Sequence, residues 1–66
     1  MSDTVRELRK AIKANGYSRV VIATHPDSVE IHVEGSSSHK IMVEDVLRIA
    51  SRFDIGKVYV SAALNY

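Results

Sequence analysis

The stretch Val29-Glu30-Ile31-His32-Val33-Glu34 alternates β-branched apolar residues with polar ones. That period of two belongs to a strand with one dry face and one wet face. Just before it, His25-Pro26-Asp27-Ser28 is a turn, because proline presets the backbone angle of the second turn position and aspartate suits the third. Before the turn, Arg19 to His25 forms another strand, with Val20, Ile22 and Thr24 on one face and Val21 and Ala23 on the other. The two strands make a hairpin. Placing Thr24 opposite Val29 sets Ile22 against Ile31, Val20 against Val33 and Arg19 against Glu34, which keeps apolar residues together on one face. Both faces of the first strand are fairly apolar, so it is expected near the middle of the sheet.

N-terminal to the hairpin, Thr4 and Glu7 have the spacing of a capping box and Asn15-Gly16 is a left-handed helix stop, predicting helix over residues 4–15. Val5, Leu8 and Ile12, with Ala11 beside them, give it a narrow apolar stripe. C-terminal to the hairpin, Gly35 and Ser36-Ser37-Ser38 predict a second hairpin into a short strand, Lys40 to Val43, with Val33 opposite Ile41 and Ile31 opposite Val43. A second helix is expected from Val43-Glu44-Asp45, acidic residues where a helix N-terminus favours them, to Phe53. Val46, Leu47, Ile49, Ala50 and Phe53 form its apolar face, and Glu44, Arg48 and Arg52 a solvated face with weak ion pairs. A last strand, Lys57 to Leu64, points Val58, Val60, Ala62 and Leu64 inward.

The expected fold is a single two-layer α+β domain over residues 1–66, ordered α-β-β-β-α-β, or α-β-β-α-β if residues 40–43 are irregular. Both helices are expected on one face of a three- or four-stranded mixed sheet, and placing the last strand beside the first gives the strand order 3-2-1-4. The α-β-β-β-α portion shares its element order with double-stranded-RNA-binding domains. Those domains open their second helix with lysines, where this chain has Val43-Glu44-Asp45, and no family is assigned.

Composition bounds the function. At 45% hydrophobic and 26% charged residues, with a net charge of +1, the chain is an ordinary globular domain whose overall charge selects no partner class. A chain of this size buries only about 60% of the surface its unfolded form exposes, and without cysteine it has no disulfide to support it. A homodimer is therefore one expectation. The absence of cysteine and of a long apolar run points to a cytoplasmic chain with no membrane association.

Candidate chemistry is sparse. His25, His32 and His39 stand seven residues apart, but the expected register sends them to different ends of the sheet, and no metal site is assigned. Ser36, Ser37 or Ser38 with His39, or His25 with Asp27, could be assembled into a nucleophile and base, yet these residues sit in turns and serve there as turn formers. No enzymatic activity and no cofactor are expected.

Two surfaces remain as binding candidates. On the first helix, Arg6, Arg9, Lys10 and Lys13 share one flank; through Val20 the local charge is +3, against −2 afterwards. Such a flank suits nucleic acid or an acidic protein, and serves equally as a solubilising face. The other candidate is the open sheet face, with Val21, Ala23, His32, Met42 and Tyr59, whose apolar residues rimmed by charge have the composition of a small protein interface. The leading expectation is a non-catalytic interaction module, occupied by a second copy or by another protein, of the kind phages and plasmids carry as inhibitors of host machinery. A nucleic-acid binder using the first helix is the alternative, and a designed or purely structural domain a further one.

Overall fold

A computed structural model of the chain describes residues 3–65 and has the order α1 (Asp3–Lys13), β1 (Arg19–Thr24), β2 (Ser28–Gly35), α2 (His39–Ala50) and β3 (Lys57–Leu64). The fold is α+β, with two helices and a three-stranded mixed sheet. The first hairpin has the expected register, from Arg19 opposite Glu34 to Thr24 opposite Val29, and His25 N–H closes the turn on the Ser28 carbonyl at 2.9 Å. α1 starts at Asp3, one residue before the expected Thr4, and ends at Lys13; Gly16, at φ +96°, supplies the left-handed residue that ends the turn.

The second half differs from expectation in three linked ways. Residues 40–43 are not a strand but the first turns of α2, which begins at His39 rather than Val43 and ends at Ala50 rather than Phe53. Ser38 caps the helix, accepting a hydrogen bond from Ile41 N–H at 3.4 Å. With no strand over residues 40–43, that edge of β2 is open, and β3 fills it. β3 therefore pairs parallel with β2, Val29 opposite Val58 and Ile31 opposite Val60, giving the order β1-β2-β3 in place of 3-2-1-4. A strand returning through a helical crossover naturally lies parallel to the strand it left. β2 is consequently the central strand and β1 an edge, and the likeness in element order to double-stranded-RNA-binding domains ends with the missing strand.

One core joins all the elements. Leu8 and Ile12 of α1 and Met42, Val46, Ile49 and Ala50 of α2 are buried with Val20, Val29, Ile31 and Val33 of the sheet. Met42, expected on the open sheet face, is instead fully buried, because the helical turn that replaces the strand aligns it with Val46 and Ile49 at i, i+4 and i+7. Leu47, expected in the apolar face, is 42% exposed. The expected ion pairs among Glu44, Arg48 and Arg52 give way to one between Arg48 and Asp45.

Tyr17 ties the ends of this core together. Its hydroxyl donates to Asp45 Oδ2 at 2.7 Å, and its ring lies against the backbone of Gly35. Burial, and then the bond to the Asp45 carboxylate and its charge, raise the Tyr17 pKa from 10.0 to about 12, with Arg48 opposing. A raised folded-state pKa means that the unfolded chain ionises first. The stability carried by neutral Tyr17 is full below pH 10 and is lost as the pH rises toward 12. Urea denaturation over that range is expected to show a loss of stability in the native chain that is reduced in Tyr17→Phe. The variant itself should cost about 1 kcal/mol at neutral pH through the lost hydrogen bond. Equal alkaline losses in both proteins would remove Tyr17 from this role.

Candidate binding face

The sheet face turned away from the core is built by register. His32 lies between Val21 and Ser61, Glu30 between Ala23 and Tyr59, and Glu34 between Arg19 and Ala63. Alternation along each strand sends these residues to one side, opposite the buried set. Val21 is 43% and Tyr59 57% exposed, and Ala23 is exposed as well. A shallow depression runs between Val21 and Ala23 on one flank and Tyr59 and Ser61 on the other, with Glu30 and His32 on its floor. Four of the five face residues expected from sequence are thus brought together, and Met42 is not among them.

Polar contacts order the floor. His32 Nδ1 is 2.9 Å from Ser61 Oγ, its Nε2 is 3.7 Å from Glu34 Oε2, and His25 Nε2 is 2.9 Å from Glu30 Oε1. Sequence reasoning missed the contact of Ser61 with His32, because it exists only when β3 lies next to β2. The line Ser61, His32, Glu34 has the residue types of a nucleophile, a base and an orienting acid. It lies along the open sheet face, where Ser61 is exposed and a reacting group would stand in water rather than in a sheltered cleft.

The remaining candidates are dispersed. Arg6, Arg9, Lys10 and Lys13 are all exposed along α1. His39 opens α2, apart from His25 at the hairpin turn and His32 in mid-strand, and among the described residues no three metal-ligating side chains group together. A polar cleft lies between the loop after α1 and the start of α2, where Asn15 and Tyr17 face Ser36, Ser37 and Asp45. Its Asp45 carboxylate is engaged by Tyr17 and Arg48. Among the described residues, no helix is long and apolar enough to cross a membrane. Comparison of the chain with family models, with curated proteins and with solved structures gives no match.

Proposed function

We propose that the protein is a non-catalytic interaction module that docks its open sheet face on another protein, as a small cytoplasmic regulator or inhibitor would. The observation that carries this reading is the pair of exposed apolar flanks, Val21 and Ala23 on β1 and Tyr59 on β3, set on paired strands on either side of Glu30 and His32. An exposed tyrosine and apolar side chains beside polar groups that can orient a partner are the materials of a protein interface. The two carboxylates, Glu30 and Glu34, favour a partner that presents basic residues alongside apolar ones. They disfavour a polyanion on this face. The exposure of Ser61 to water on an open face favours the non-catalytic reading.

The second reading, nucleic-acid binding, rests on the four exposed basic residues of α1. One experiment separates the two. Tagged protein is used to capture partners from lysate with and without nuclease, in parallel with Val21→Asp and with the charge-reversed α1 variant of Arg6, Arg9, Lys10 and Lys13. The docking reading expects a protein retained after nuclease, lost with Val21→Asp and kept by the α1 variant. Capture abolished by nuclease or by α1 reversal, and indifferent to Val21→Asp, would transfer the function to the helix.

A further inference from the structure

β3 is an edge strand of eight residues, and from Val58 to Leu64 it carries neither charge nor proline. Natural edges are usually blunted by charge, proline or a bulge, because an unpaired ladder invites another strand. The direction of its free groups follows from one bond. Asn65 N–H donates to the Gly35 carbonyl at 2.8 Å, so residue 65 turns its backbone toward β2. By strand alternation residues 57, 59, 61 and 63 do the same, and the N–H and C=O groups of Val58, Val60, Ala62 and Leu64 point outward. The side chains of Val58, Val60 and Ala62 are only half-buried on the core face, and Leu64 is 48% exposed.

We infer that β3 pairs antiparallel with β3 of a second copy, about a two-fold axis at Ser61, to form a continuous six-stranded sheet. This register is self-complementary. It sets Val58 opposite Leu64 and Val60 opposite Ala62 on the core face, and these are the residues whose backbone groups point outward, so each such pair exchanges two hydrogen bonds. On the open face Tyr59 falls opposite Ala63, a large ring over a small residue, and Ser61 meets its own copy. The two Lys57 side chains lie at opposite ends of the paired segment, and no like charges face each other. Pairing shields the half-buried Val58, Val60 and Leu64 side chains and supplies a 66-residue chain with a larger core. β1 is the poorer edge for this purpose, being six residues long, beginning at Arg19 and having Val20 already buried. The pairing does not depend on what the open face binds, but it would make the two faces continuous, with Ala63 of one copy flanking Tyr59 of the other.

The chain lacks cysteine, so single cysteines report the geometry cleanly. Sedimentation equilibrium of the native chain is expected to give twice the 7.3 kDa monomer mass. Ser61→Cys should link its copies nearly completely under mild oxidation, since residues facing each other at a non-hydrogen-bonded position have close Cβ atoms. Ala23→Cys, on β1, should not link. Ala62→Pro removes an outward N–H, and Ser61→Lys places two ammonium groups at the axis; each is expected to give a monomer with native circular dichroism. Should Ala62→Pro fail to fold, Ser61→Lys alone decides. A monomeric native chain, a dimer that survives folded Ser61→Lys, or faster linking through Ala23→Cys than through Ser61→Cys would overturn the pairing.

Discussion

Met42→Asp is expected to leave the chain unfolded at room temperature, with loss of the far-ultraviolet helix signal and no cooperative urea transition. Met42 has no exposed surface and sits among Val46, Val33 and the other core residues. A carboxylate introduced there would be desolvated without a partner, a penalty of several kcal/mol. A domain of this length has in total only about 3–10 kcal/mol of stability, at roughly 0.05–0.15 kcal/mol per residue. Met42→Leu keeps shape and polarity and should cost less than about 1.5 kcal/mol. The pair of variants is a direct test of the chain trace. If residues 40–43 were a strand with Met42 on the open face, aspartate there would be harmless, and a cooperative transition of native midpoint in Met42→Asp would restore that arrangement.

The second large effect concerns Gly35. Its backbone has an ordinary φ, so its requirement for glycine is one of space. A Cβ at this position would lie 3.0 Å from Met42 Sδ and 3.0 Å from Tyr17 Cδ1, closer than such atoms rest. Neither neighbour yields easily, since Met42 is packed in the core and the Tyr17 ring is held by its bond to Asp45. Gly35→Ala is expected to destabilise by about 1–3 kcal/mol, and Gly35→Val by more. Because the clash is shared, the cost of Gly35→Ala should fall when Tyr17 is also shortened to serine. A double-mutant cycle in urea reads that coupling directly. Additive losses would mean that the ring and the glycine do not meet.

How far the fold was legible depended on whether local chemistry or distant packing set each feature. The hairpin register followed from parity and from the turn at His25-Pro26-Asp27-Ser28, both local, and it holds at every pair. The start of α2 was not local in this sense. Lys40-Ile41-Met42-Val43 is short and β-prone enough to suit either state, and the capping serine was hidden among three consecutive serines. What selects the helix is that Met42, Val46, Ile49 and Ala50 together fill the core. The neighbour of β3 was equally out of reach, because it depended on whether residues 40–43 left the edge of β2 vacant. The binding face inherited the same division. Val21, Ala23, His32 and Tyr59 could be placed by alternation alone, whereas Met42 fell with the false strand and the Ser61 contact to His32 required the correct strand order.

The central position of β2 has a consequence for how local opening of the sheet can be observed. The even-numbered residues of β2 turn their amides toward β1, as the His25 bond to Ser28 indicates, and the odd-numbered ones toward β3, as the Asn65 bond to Gly35 indicates. Alternate amides of a single strand are therefore independent reporters of detachment at its two flanks. Hydrogen exchange at Glu30, His32 and Glu34 measures the opening of β1, and exchange at Ile31, Val33 and Gly35 the opening of β3.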